Sequence, residues 1–279
     1  MENNIPGQKL SFTERFNISP VMFGILALVA IFVTYQIIGS IIAMLVMGSD
    51  VKSADPNLVR VTAAMGQLLF LLLPTFLIAK LLPENYREIF KLNTISLKLS
   101  FLIVISVFAL MEIAQIILLL QSQIPIPEEI QNVLLEIKRA MEEAYKLLLN
   151  AAGYNELALV ILIIAIIPAV SEEFFFRGLL QHNFVKGVGA KSGIILTGTF
   201  FALFHFNPFS LLALLVLGIY FSFLVYKTNS IYSSILGHFT NNFVAALSFY
   251  FFGKDDLVLD STEGIIATSQ LPSIFMVFI

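Results

Sequence analysis

The chain has 279 residues, 58% hydrophobic and 13% charged, with a formal net charge of −3 at pH 7 and a mean hydropathy of +0.90. A soluble domain carries roughly a quarter charged residues, so the composition indicates an integral membrane protein before any segment is read. The absence of cysteine excludes disulfides and thiolate metal sites, and no dense basic patch invites nucleic acid as a partner. With no tryptophan, the 27 phenylalanines and 8 tyrosines must carry aromatic packing and interfacial anchoring.

The first twenty residues are polar, with Lys9 and Arg15, and the apolar run behind them is too long for the core of a cleavable signal peptide. It reads as a retained first span. Spanning takes roughly 20 apolar residues. The predicted spans are 21–47, 61–82, 100–120, 157–184, 192–206, 209–226 and 231–252, the fourth long and the fifth short. The stretch 264–279 contains Thr268, Ser269, Gln270, Pro272 and Ser273 and reads as a partial or interfacial segment, or as an eighth span if it crosses.

With the N-terminus inside, Lys9, Arg15, Lys80, Arg87, Lys91, Lys98, Arg177, Lys186, Lys191 and Lys227 fall on the inner side. Lys52, Arg60, Lys138, Arg139, Lys146 and Lys254 fall on the outer side. This excess favours a cytoplasmic N-terminus.

The connection 121–155, between spans three and four, is the one extramembrane element of substance. Ile130, Val133, Leu134, Ile137, Met141, Ala144 and Leu148 recur at helical spacing, with Glu136, Arg139, Glu143 and Lys146 on other faces. Pro125, Pro127 and the acids Glu128 and Glu129 mark the start of this amphipathic helix. It lies on the membrane or caps the bundle; a gate over a cavity is the alternative. The expected fold is therefore all-α, a polytopic transmembrane bundle with one amphipathic connection.

The costliest residues to bury stand at Ser171-Glu172-Glu173-Phe174-Phe175-Phe176-Arg177, at the end of the hydrocarbon run 157–170. Each intramembrane charge costs roughly 2.5–3.5 kcal/mol on insertion scales, which makes such residues functional candidates. Glu173 and Arg177 are four apart with the acid first, the better orientation for an ion pair, whereas Glu172 points about 100° away. Glu173 and Arg177 would neutralise each other and leave Glu172 free. Pro168, four residues before Glu172, should kink the helix and release a carbonyl near the acids.

Two later spans carry histidines. Phe201 and His205 share a face in the fifth, and His238 and Asn242 share one in the seventh, where paired donors suit a developing oxyanion. Counting from the turns near Gly187 and Asn229, Glu172 and His205 differ by about 4.5 Å in height, and His238 and Asn242 lie about 14 and 20 Å deep. All four groups fall in one mid-depth layer.

The ordered set Glu-Glu-x-x-x-Arg (Glu172, Glu173, Arg177), Phe-x-x-x-His (Phe201, His205) and His-x-x-x-Asn (His238, Asn242) resembles the three motifs of the CAAX prenyl endopeptidase type II and bacteriocin-processing family of intramembrane proteases, the CPBP or Abi family. The resemblance implies an endopeptidase with its site in a cavity within the membrane. Glu172 would be the general base, and His205 would help hold and polarise the hydrolytic water. His238 and Asn242 would stabilise the tetrahedral oxyanion, with Glu173, Arg177 and Phe201 in support. It also implies a membrane-associated peptide substrate, prenylated or bacteriocin-like.

Metal is a separate question. Glu172, His205 and His238 could form a His₂Glu zinc site. No His-Glu-x-x-His motif is present, and Asn242 suits an oxyanion hole better than zinc, so no cofactor is favoured and zinc is the alternative.

The division expected is a cytoplasmic tail at 1–20, a supporting half at 21–156, a catalytic core at 157–252 and a tail or partial membrane segment at 253–279. The competing functions are a non-proteolytic immunity or scaffold protein of the same fold, and an ion or proton transporter, for which no inverted repeat speaks. Phe174 to Phe176 read as packing or lipid-facing and His182 as interfacial. Glu112 is a further intramembrane acid that could pair with Arg177, wet a cavity or contact Gln67.

Overall fold

A computed structural model describes residues 10–48, 54–125 and 127–256. The segment 264–279 and the first nine residues lie outside the described residues. Among the described residues all regular structure is helical. A short helix α1 (Phe12–Arg15) leads into α2 (Pro20–Met47), α3 (Pro56–Ala79), a single turn α4 (Tyr86–Ile89) and α5 (Leu97–Ser122). There follow α6 (Glu128–Leu149), α7 (Tyr154–Val188), α8 (Ala190–Phe204), α9 (Leu211–Thr228) and α10 (Ile231–Asp256).

Five helices, α2, α3, α5, α7 and α9, are long and apolar enough to cross a membrane. The other two predicted spans fall short in different ways. Helix α8 has only 15 residues, and α10 is long but carries Ser233, Ser234, His238, Thr240, Asn241 and Asn242. The chain is an integral membrane protein with a polytopic all-α bundle.

Burial sorts the helices. About half of the apolar window of α7 (50%) and of α9 (44%) is buried inside the protein, against 22%, 17% and 28% for α2, α3 and α5. Helices α7 and α9 are central, and the other three present apolar faces outward, where only lipid leaves such side chains without penalty. Glu112 lies on the exposed side of α5, and Arg177 pairs with Glu173. Because α5 is apolar all round, periodicity gives no hint of which face turns inward.

Local chemistry sets the helix starts. Ser19 caps α2 with Pro20 in the first turn, Asp55 accepts from the amides of Asn57 and Leu58 before Pro56 opens α3, and Ser96 caps α5. Helix α3 therefore begins earlier than its apolar run. Arg60, expected in an outer loop, is fully buried within it. Its guanidinium donates to the carbonyls of Leu148 (2.9 Å) and Asn150 and to Asn57 Oδ1 (2.7 Å), tethering the end of α6 to α3.

Helices α7 and α8 form a hairpin turned at Gly189, whose φ of 82° is a conformation open to glycine. Helices α8 and α9 then cross so closely that a Cβ on Gly198 would lie 2.5 Å from the Ile219 backbone nitrogen, and one on Gly218 would lie 2.7 Å from the Gly198 carbonyl oxygen. Small residues that let backbones touch are the usual glue between membrane helices. Phe175, Phe176, Phe201 and Phe204 fill the core beside this crossing, while Phe174 packs on Phe76 and Phe90.

Two prolines break the backbone ladder, and both breaks are repaired from another helix. Pro74 leaves the Phe70 carbonyl without its helical donor, and Thr34 Oγ1 donates to it at 2.9 Å. Pro168 leaves the Ile164 carbonyl, and Asn242 Nδ2 donates to that one at 3.0 Å. Each proline follows a π-helical stretch, Gln67–Leu72 and Ile161–Ile166, a winding that recurs at functional sites.

Candidate active site

One cavity of about 290 Å³ brings together Glu172, His205, His238 and Asn242. Glu172 comes from the middle of α7, His205 from the residue that ends α8, and His238 and Asn242 from one face of α10. The four residues predicted to share a layer thus meet in one space. Glu173, Arg177 and Phe201 stand behind it, fully or almost fully buried.

The first pair is Glu172 and His205. Glu172 Oε2 and His205 Nε2 face each other at 3.7 Å, too far for a direct hydrogen bond but near enough for one water to bond both. Glu172 Oε2 is buried and bonds nothing among the described residues. His205 Nδ1 lies 2.7 Å from the Phe201 carbonyl oxygen. A carbonyl only accepts, so Nδ1 carries the proton and, in the neutral ring, Nε2 is left as a lone-pair acceptor toward the cavity.

The second group is Glu173, Arg177 and His238. Glu173 Oε1 accepts from Arg177 Nη1 at 2.6 Å and from His238 Nδ1 at 2.9 Å. The expected Glu173–Arg177 pair is present, but Glu173 does more than neutralise Arg177: it also fixes the imidazole of His238. Arg177 donates in addition to the Gly218 carbonyl at 3.0 Å and lies over the ring of Phe201 at 4.2 Å. Phe221 stacks on His238 at 5.8 Å, and Phe201 meets that ring edge-on at 5.9 Å. The histidine is clamped on its faces by aromatics and at Nδ1 by a carboxylate. Asn242 spends one amide hydrogen on Ile164 and keeps another, while its Oδ1 accepts from Asn241 at 3.0 Å.

The stretch 21–156 contributes walls that sequence reasoning missed. Tyr35 and Gln36 of α2, Ala63, Gln67 and Leu71 of α3, and Tyr145 and Leu148 of α6 all line the cavity. Gln36 Nε2 donates to the Phe204 carbonyl at 2.9 Å. Gln67, weighed only as a partner of Glu112, instead donates to Glu172 Oε1 at 3.3 Å. Its signal was present as a lone amide in an apolar run, the residue type that bonds across membrane helices. Helix α6, expected on the membrane or capping the bundle, borders the cavity through its C-terminal turns.

Among the described residues no three His, Cys, Asp or Glu side chains are grouped as metal ligands would be. His238 gives its Nδ1–H to Glu173, which leaves Nε2 as the nitrogen open to the cavity.

Residues 154–244 match the family model of the Type II CAAX prenyl endopeptidase Rce1-like proteins. The match covers about a third of the chain and contains Glu172, Glu173, Arg177, Phe201, His205, His238 and Asn242. The resemblance carried by those motifs is thereby borne out for the Rce1-like segment, and the family is one of membrane proteases. Searches of curated proteins and of solved structures gave no match. Tyr35, Gln36, Gln67 and Tyr145 all lie outside the Rce1-like segment.

Proposed function

We propose that the chain is an intramembrane endopeptidase that hydrolyses a peptide bond in a membrane-associated substrate, prenylated or not, using Glu172 as general base. The observation that carries the reading is the unpartnered Glu172 Oε2 facing the acceptor nitrogen of His205 across a cavity shared with His238 and Asn242. A water bonded to both gives one proton toward Glu172 and one toward His205, which turns its lone pair on the scissile carbonyl carbon. Attack forms the C–O bond as Glu172 takes the proton. The carbonyl oxygen becomes an oxyanion, which the free amide hydrogen of Asn242 and an Nε2–H of His238 stabilise. With Nδ1–H given to Glu173, a second proton on that ring makes it cationic, and Glu173 supplies the counter-charge. Collapse breaks the C–N bond, Glu172 returns its proton to the leaving nitrogen, and an amine and a carboxylic acid are released.

No step in this sequence calls on a metal. A cytoplasmic N-terminus is supported by the inner excess of Lys and Arg; Arg60 and Arg177 both prove buried, one from each side, which leaves the sign of that excess unchanged.

The test is cleavage of a fluorogenic peptide tethered to vesicles by an acyl or prenyl anchor, with purified protein reconstituted in them. Glu172→Gln should lower turnover by at least about 10²-fold, the scale of a lost general base, without loss of folded protein. A Glu172→Gln protein as active as the parent would overturn the assignment of this site.

A further inference from the structure

General-base work needs one carboxylate oxygen aimed at the water and the other held still. Glu172 Oε2 faces His205, so the question is what holds Oε1. Among the described residues that atom bonds one side chain, the Gln67 amide at 3.3 Å. Gln67 sits in the π-helical stretch of α3, outside the Rce1-like segment. We infer that Gln67 is a positioning residue for Glu172, and that Ser171 sets the direction of the Gln67 amide. The inference rests on the general-base role given above to Glu172.

An amide can present either end, and only its N–H end supports a carboxylate. Ser171 decides between them. Its hydroxyl has one proton and two acceptors in reach, the Ile167 carbonyl at 2.7 Å and Gln67 Oε1. Given to Gln67, the proton fixes the carbonyl end of the amide at Ser171 and turns Nε2 to Glu172. Tyr35 of α2 lines the same cavity beside Gln67. Ser171 is fully buried and Gln67 half-buried. The neighbour of the base in sequence thus acts on it through a residue 104 positions away. A plain interhelical bond would stabilise the bundle and leave turnover alone.

Two near-isosteric changes separate these roles. Gln67→Met keeps the volume and removes both polar ends; Gln67→Glu keeps the acceptor for Ser171 and puts a carboxylate against Glu172. In the vesicle assay both should lower kcat about tenfold, the scale of one hydrogen bond to a charged group, with KM held within about twofold. Ser171→Ala should cost about threefold in the parent and nothing further in the Gln67→Met background, since its effect runs through Gln67. Unchanged kcat in both Gln67 variants, or a Ser171→Ala loss that persists beside Gln67→Met, overturns the inference. Glu172→Gln measured alongside keeps the two failures apart: a dead Glu172→Gln beside fully active Gln67 variants sinks the positioning role alone, while an active Glu172→Gln sinks the base.

Discussion

Arg177→Met is the change with the most directly calculable consequence. Arg177 is fully buried, and its removal takes away the 2.6 Å pair with Glu173, the 3.0 Å bond to the Gly218 carbonyl and the 4.2 Å contact over Phe201. The larger effect falls on what stays behind. Glu173 is also fully buried, and its carboxylate loses its arginine and is left to the His238 ring. Breaking a buried ion pair by deleting one member costs about 3–5 kcal/mol, and a remaining bond to His238 sets the loss at the lower end of that range. At roughly 2–4 °C per kcal/mol for chains of 150–250 residues, the melting temperature in detergent should drop on the order of 10 °C. The double change Arg177→Met with Glu173→Gln removes the stranded charge while sparing an acceptor for His238, and it should regain most of that loss. Melting followed by intrinsic tyrosine fluorescence, on single and double variants at one pH, tests both halves. A single variant as stable as the parent, or a double variant no better than the single, would refute the reasoning.

Gly198→Val places a Cβ 2.5 Å from the Ile219 backbone nitrogen, which no side-chain rotation relieves. It should cost about 1–3 kcal/mol or more and reduce cleavage with every site residue intact, read by melting and by the vesicle assay. Outside the membrane, burial pushes the Glu84 carboxyl up, but its bond to Lys186 and the nearby His182 more than reverse this and hold it below the usual carboxylate range. A depressed folded value means stability present above the unfolded carboxylate range, about pH 4.3, and lost as pH falls through the folded value. The pair is half-exposed, so the contribution is at most about 1 kcal/mol, and a melting series down to about pH 3 should be slightly flatter for Glu84→Gln. Exhaustive chelation of the purified protein should leave cleavage unchanged; a loss that zinc restores would favour zinc held by Glu172, His205 and His238 instead.

The groups assigned to chemistry were legible because they are the residues a hydrocarbon environment penalises, and helical rise sufficed to place them at one height. What spacing could not show was how one acceptor is shared. Glu173 and Arg177 look self-sufficient at four residues apart, yet the same oxygen also takes His238 from a helix 65 positions later. Pro168 announced a freed carbonyl but not that Asn242 would cap it. Arg60 was misread as a loop residue because its helix is started by Asp55 and Pro56 ahead of the apolar run. The cavity's far wall was invisible for a related reason: Tyr35, Gln36 and Gln67 lie in spans apolar enough that neither pattern nor motif distinguishes a residue facing lipid from one facing a cavity.

The cavity is thus drawn from two parts of the chain with different freedoms. The Rce1-like segment holds the candidate reacting groups, locked together by Glu173, Arg177 and the Gly198–Gly218 crossing, where almost any substitution disturbs several contacts at once. Much of the opposite wall comes from α2, α3 and α6, whose outward faces are loosely constrained by packing. Inheritance can therefore act on the two separately. If this cavity cuts peptides, lineages of such proteins can exchange the peptides they admit by drift in the wall helices while the candidate reacting groups stay fixed, and relatives alike between 154 and 244 need share no substrate.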